Sequence, residues 1–356
     1  RTRWGRRRPW LLTALPFYVG ILVLVYAVPG PFLQGNALFW YALLTFILFE
    51  GAYTMMAVNY AALFPELFQG FQERARASST YQGFGMLGEL VGFSIPPFVY
   101  AKFGFVPMAI SFAWVAGIAL FLGIIRNRED PKALKAPPLD LKDAFGEVLK
   151  DRAFLLFTIA VTFLAFTTGV YTLATPFWVK YTVGASPQAT SLIFAIVFIV
   201  AILSVSIWGR VVRTLGIKRS WLWSIGVMAA SAVILGLASN LVLGAIGAAV
   251  AGAGLGGVKV CREMIVADFV DGNLKRTGLR REGIYYSMLR VIGKLSKILE
   301  SLALVLLGLL FGYVSGENPG PQPENAFRFL ISVFPLVFTL IALFIASRLS
   351  FENKGA

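Results

Sequence analysis

The chain has 356 residues, 58% of them hydrophobic and only 14% charged, with a mean hydropathy of +0.75 and a formal net charge of +14. A soluble domain carries about a quarter charged residues, so this composition excludes a soluble globular fold and implies an integral membrane protein. With no His and a single Cys, His-based zinc sites, Ser-His catalytic pairs and disulfides are excluded as well.

The apolar runs Leu11 to Val28, Ser191 to Trp208 and Ser301 to Leu310 are continuous. They lack the two-residue alternation of a lipid-facing barrel strand, so the fold class is all-α. Hydropathy predicts ten spans at about 9–29, 37–64, 79–101, 104–125, 153–179, 188–209, 220–238, 241–267, 284–313 and 327–347. Between the fourth and fifth lies the long polar stretch 126–152, with Pro131, Pro137 and Pro138 followed by a polar, helix-like piece over 139–150. It divides a first bundle, 1–125, from a second, 153–356, and acts as the linker between them. Trp4-Gly5-Arg6-Arg7-Arg8 recurs as Trp208-Gly209-Arg210, followed by Gly216-Ile217-Lys218-Arg219. In each copy glycine permits a tight turn between two spans.

The position of the charge matters more than its sum. Of 32 Lys and Arg, 24 fall in segments 1–8, 65–78, 126–152, 210–219, 268–283 and 348–356, whereas the opposite loops hold Lys102, Lys180 and Arg328. That asymmetry places the basic loops and both termini in the cytoplasm and the chain in a cell membrane, the inner or plasma membrane. The basicity is therefore topological, and nucleic acid is not an expected partner. The chain opens on a basic loop without an initiator Met, and is expected to begin inside a longer protein whose first bundle has two more helices.

The remaining five cations lie within spans, where an ionisable side chain costs roughly 2.5–3.5 kcal/mol unless paired or hydrated. Lys259, Arg262 and Glu263 stand at i, i+3 and i+4, on one helix face, after the small-residue run Gly252-Ala-Gly-Leu-Gly-Gly257. Such a run suits either close helix packing or local unwinding beside a cavity. Arg290, Lys294 and Lys297 share a face of the next helix, with Glu300 a turn further. Two readings follow: these groups line a watered, electropositive cavity for an anionic ligand, or Arg262–Glu263 and Lys297–Glu300 are internal ion pairs. In the first bundle Glu50 and Glu89 are the span acids, and with Glu263 they are candidates for taking up a proton. Asp268 and Asp271 look like a DxxD metal pair, but Lys275, Arg276, Arg280 and Arg281 surround them, which favours salt bridging. A metal-dependent membrane transferase would need more clustered acids, so no catalytic residue, metal or cofactor is expected.

Four passages resemble the glycoside–pentoside–hexuronide:cation symporters, the melibiose-permease branch of the major facilitator superfamily. They are Arg1-Thr-Arg-Trp-Gly-Arg-Arg-Arg-Pro-Trp10; Tyr53-Thr54 with Ala62-Leu-Phe-Pro-Glu-Leu67 and Glu73-Arg-Ala-Arg76; Ala267-Asp268 to Asp271 with Thr277-Gly278 and Arg280-Arg281-Glu282-Gly283; and Lys294, twelve residues after Glu282. The resemblance implies a fold of twelve helices in two bundles, alternating access, and symport of a small solute with a sodium, lithium or hydrogen ion. The ten spans would then be helices three to twelve. It implies that Asp268, Asp271, Arg280, Arg281 and Glu282 tie the bundles together. It also implies substrate contacts at positions now held by Ala57, Tyr81 and Lys259, where the family carries an aspartate, an arginine and a tryptophan. A melibiose-type site is therefore not reproduced.

The expected function is secondary transport of a sugar-like solute, anionic in the manner of a uronide, by a monomer in the bilayer. Its substrate residues would be Lys259, Arg262, Lys294, Tyr53, Ala57, Tyr81 and Arg290, and its coupling residues Glu50, Glu89 and Glu263. The alternative within the same fold is a carrier of lysolipids or other amphiphiles.

Overall fold

A computed structural model describes residues 7–28, 33–67, 71–126, 146, 150–277, 282–314, 316 and 319–349. Every regular element among them is helical. Nine helices among the described residues are long and apolar enough to cross a membrane. The chain divides into two compact units, residues 1–88 with 95–138, and residues 139–356 together with the short stretch 89–94.

The first unit holds α1 (Arg8–Tyr26), α2 (Asn36–Leu67), most of α3 (Phe71–Phe103) and α4 (Phe105–Arg126). Pro9 opens the first turn of α1, where its missing N–H costs nothing. The α1 helix packs on both α2 and α4, burying Leu11, Ala14, Leu15, Met56 and Ile124. Polar tips close this small core: Tyr60 Oη donates to the Leu120 carbonyl at 3.2 Å, and Tyr41 Oη to that of Leu24 at 2.6 Å. The polar linker expected at 126–152, with its helix-like piece, lies almost wholly outside the described residues.

The second unit is built on α5 (Arg152–Trp178), α6 (Pro187–Leu215), α7 (Ile217–Leu237), α8 (Leu241–Thr277), α9 (Glu282–Gly293), α10 (Leu295–Phe311) and α11 (Pro323–Arg348). Asp151 caps α5, its carboxylate accepting from the N–H groups of Ala153 and Phe154 at 3.1 Å. The α5 helix buries residues on several sides, among them Phe154, Phe157, Phe166, Val170 and Trp178, as expected of a helix enclosed by others. It packs on α11, and Thr167 and Thr339 share a buried hydrogen bond of 3.1 Å across that interface.

The glycines of α8 set how closely it meets its neighbours. A Cβ on Gly252 would lie 2.2 Å from the Val197 carbonyl oxygen of α6, and one on Gly254 would lie 2.8 Å from the Met228 nitrogen of α7. Trp208 Nε1 donates to the Ala253 carbonyl at 2.8 Å in the same seam. Of the two uses open to the glycine run, close packing is the one realised, because α8 is helical throughout.

Three expectations change. The span expected at 284–313 is divided at Lys294 into two helices, α9 and α10, although Lys294 itself keeps helical φ and ψ of −63° and −21°. At Gly293 no Cβ stiffens the chain, and the Lys294 N–H is shared between the carbonyls of Arg290 and Val291, both at 3.2 Å. At 1.5 Å per residue the 17 residues of α10 reach only about 26 Å, short of a ~30 Å hydrocarbon layer. Next, α8 runs ten residues past its expected end at 267, so Asp268 and Asp271 sit inside the helix rather than closing it. Hydropathy registers only the lipid-immersed length, and the polar extension satisfies its backbone as a helix regardless. Finally Glu50, read as a carboxylate enclosed in its span, is exposed on α2.

Candidate functional site

The charged groups of α8 to α10 are largely answered by acids, some on other elements. The Lys259 ammonium on α8 is ion-paired with the Glu89 carboxylate of α3, both side chains being partly exposed. One turn along, Arg262 Nε donates to Glu263 Oε1 at 3.1 Å, and Tyr286 Oη of α9 donates to the other oxygen, Oε2, at 2.9 Å. Glu263 is thus held by two donors from two helices. On α10, Lys297 Nζ lies 2.9 Å from Glu300 Oε2.

Arg290 and Lys294 are exposed, and among the described residues neither makes a salt bridge. They flank the break between α9 and α10, where the shared N–H marks a departure from the regular ladder. With Lys259, Arg262 and Lys297 each paired to a glutamate, Arg290 and Lys294 are the two span cations at this discontinuity that make no salt bridge among the described residues. Cations turned to lipid would be expensive, so an exposed pair here calls for water or an anion to offset its cost.

A second polar feature lies within the same unit. Thr168, Tyr171, Thr172 and Thr175 line one face of α5 and border a cavity of about 40 Å³, closed on the far side by Phe194 and Leu255. The three threonines donate to carbonyls one turn back in α5, which leaves their oxygens free to accept. Tyr171 Oη shares a 2.9 Å hydrogen bond with Ser231 Oγ of α7. A volume of that size holds a few waters. The Thr-Tyr stripe at i, i+3, i+4 and i+7 was readable in the sequence as a polar face on an otherwise apolar span.

The other sequence-derived residues fall as follows. Glu50, Tyr53 and Ala57 belong to α2 of the first unit, Tyr53 being exposed with its ring 6.4 Å from that of Tyr18. Tyr81 is an exposed residue of α3. Asp268 is half-buried and Asp271 exposed in the last turns of α8. Glu282 begins α9, while Arg280 and Arg281 lie outside the described residues. Cys261, next to Arg262, is fully buried among Phe157, Trp221, Ile225 and Tyr285 in the core.

Residues 1–353 match the family model described as MFS/sugar transport protein. Three curated proteins are similar over almost all of the chain. The glucuronide carrier protein homolog of Escherichia coli (strain K12) is 24% identical over 354 residues, covering 96% of this chain and 76% of the relative. The uncharacterized symporter YjmB of Bacillus subtilis (strain 168) is 22% identical over 352 residues, covering 96% and 75%. The isoprimeverose transporter of Lactiplantibacillus pentosus is 25% identical over 352 residues, covering 94% and 72%.

Proposed function

Because the chain belongs to the MFS/sugar transport protein family and is a multi-pass membrane transporter of that fold, we propose that it carries a sugar acid together with a proton by alternating access. One observation carries the substrate class: Arg290 and Lys294, exposed and without a salt bridge among the described residues, stand one turn apart at the junction of α9 and α10. Interrupted helices are where transporters of several folds build their solute sites, and exposed charges beside the interruption can face a cavity. Two such cations side by side attract a carboxylate more than a neutral sugar. The relative named for glucuronide transport agrees with a uronide as the solute. Lys259 and Arg262 then act beside this site through their ion pairs, rather than as free anion ligands.

The proton is preferred to sodium because one carboxylate suffices to take it up, whereas hard metal cations gather several oxygens. Of the three acids expected to couple, Glu89 is engaged by Lys259 and Glu263 by Arg262 and Tyr286. Glu50 makes no salt bridge among the described residues and shares a helix face with Ala57, seven residues on. It is therefore the first candidate. The charge asymmetry supports a cytoplasmic position for both termini of this chain and for the 126–152 linker.

The test is uptake by proteoliposomes holding the full-length protein, with methyl glucuronide and methyl glucoside as paired probes. The glucuronide should compete better, and Lys294→Ala should raise its half-saturation about tenfold to a hundredfold. That range is the equivalent of one charge-assisted hydrogen bond of about 1.5–3 kcal/mol. Glu50→Gln should abolish accumulation under a pH gradient while leaving counterflow exchange intact. A glucoside that outcompetes its uronide, or uptake that follows sodium and ignores pH, would overturn the reading.

A further inference from the structure

Glu300 of α10 is the one span carboxylate whose sequence context suggests only an ion-pair partner, and it is the most deeply enclosed of the three glutamates in the second unit's charge clusters. Its side chain retains 7% of its accessibility. Oε2 is bonded to Lys297, but Oε1 is buried and has no hydrogen-bond partner. The carboxylate lies against α5 at Gly169, where a Cβ would sit 1.9 Å from Oε1 and 2.3 Å from the carboxyl carbon. Only glycine leaves room for it there. A buried oxygen without a donor forfeits its hydration with nothing in return, so a slot shaped around it calls for an occupant.

The groups facing it restrict what that occupant can be. From its own helix Glu300 meets Lys297, with Lys294 one turn further back. From α5 the contact is Gly169, and the titratable residue nearest in sequence, Tyr171, is hydrogen-bonded to Ser231 of α7. From α11 the charged residues are Glu324 and Arg328, paired with each other at one end, and Arg348 at the other. From α9 they are Glu282 and Arg290, with Tyr285 and Tyr286, the latter bonded to Glu263. Among the described residues, the salt bridge with Lys297 is the only one that Glu300 makes.

Resting on the uronide reading above, we propose that Glu300 is a proton-binding site that controls affinity for the anionic solute through Lys297. A hydronium ion gives its proton to Oε1: one of its O–H bonds breaks as the carboxyl O–H forms, and water is left. The Lys297–Glu300 pair, neutral while Glu300 is ionised, then carries one positive charge. Lys297 is 71% exposed, one turn from Lys294, so that charge adds to those of Arg290 and Lys294 at the helix break. By linkage, the bound anion raises the affinity for the proton as much as the proton raises affinity for the anion. This reciprocal gain is what a proton-driven symporter requires. Glu50 would then serve accumulation, and Glu300 the coupling of charge to solute binding.

The experiment is equilibrium binding of methyl glucuronide and methyl glucoside to the purified full-length protein in nanodiscs, from about pH 4 to about pH 8 without sodium. In the wild type, glucuronide affinity should fall as pH rises, by up to about tenfold per unit in the steepest range, while glucoside binding stays flat. Glu300→Gln should bind glucuronide at every pH as tightly as the wild type does in acid. Gly169→Ala disturbs only the flexible end of Glu300 and should shift the midpoint of the pH profile, leaving glucoside affinity unchanged. A full wild-type slope in Glu300→Gln, or an unmoved profile in Gly169→Ala, would overturn the proposal. So would a dependence on sodium in place of pH. Because binding is measured, loss of uptake in Glu50→Gln leaves this outcome independent of the Glu50 assignment.

Discussion

The seam between α6 and α8 permits a prediction whose size follows from the coordinates. At Gly252 an added methyl would meet main chain: the Val197 oxygen at 2.2 Å, its carbonyl carbon at 3.0 Å and its Cα at 3.1 Å. Ordinary contacts of this kind are 3.4 Å or more, so the two helices must part by over 1 Å, and no rotamer change can relieve the clash. Overpacking of this kind costs about 1–3 kcal/mol. Alanine returns about 1 kcal/mol of intrinsic helix preference. With backbone on the other side, the upper part of the range applies, and Gly252→Ala should lose about 2 kcal/mol net. The internal control is Gly209 of α6, where a Cβ would meet nothing within 4 Å. Gly209→Ala should be neutral or gain up to about 1 kcal/mol from the same helix preference.

The protein supplies its own reporter. Cys261 is the only cysteine and is fully buried, so a thiol-reactive dye should label it only as the second unit opens. At about 2–4 °C per kcal/mol for a unit of this size, Gly252→Ala should melt about 4–8 °C below the wild type in detergent micelles. The reasoning fails if Gly252→Ala melts with the wild type, or if Gly209→Ala is the more damaging of the two.

Two other expectations accompany those given with the function. In a Cys261→Ser background, a cysteine at the exposed Thr214, beside the Gly216 turn, should resist membrane-impermeant thiol reagents in intact cells and react once the cells are opened; rapid labelling from outside would reverse the topology. Neutralising one member of the Lys259–Glu89 pair should lower melting temperature more than neutralising both. The coupling between the two should be about 1 kcal/mol, modest because both groups are partly exposed, and strict additivity in a double-mutant cycle would refute it.

The spans were legible because lipid imposes a length and an apolar composition that a single window along the chain detects. Nine of ten emerge near their expected positions. The errors arise where something other than lipid decides. The polar end of α8, from Asp268 to Thr277, remains helical because its own backbone bonds hold it, a fact that hydropathy does not encode. The break at Lys294 depends on Gly293 and on a single shared N–H, a local event inside an otherwise apolar run.

The charges were legible as an anomaly but not as a circuit. Counted within the spans expected at 241–267 and 284–313 alone, five cations stand against two acids, and each looks available to a ligand. The third acid, Glu89, is 170 residues from Lys259, and no periodicity could have joined them. With that pair closed, the surplus contracts to Arg290 and Lys294, at the one place where the helix is also interrupted. Glu300 illustrates the same limit. At i+3 from Lys297 it reads as an ordinary surface pair, and only Gly169, on a helix 131 residues earlier, makes it a buried carboxylate with one oxygen unmet. Pairing across helices thus concentrates the unbalanced charge, and a cation left unpaired at a helix break in a membrane requires either water or an anion to offset its cost. A transported uronide would supply that anion for part of the cycle, and water entering the open cavity would replace it for the rest.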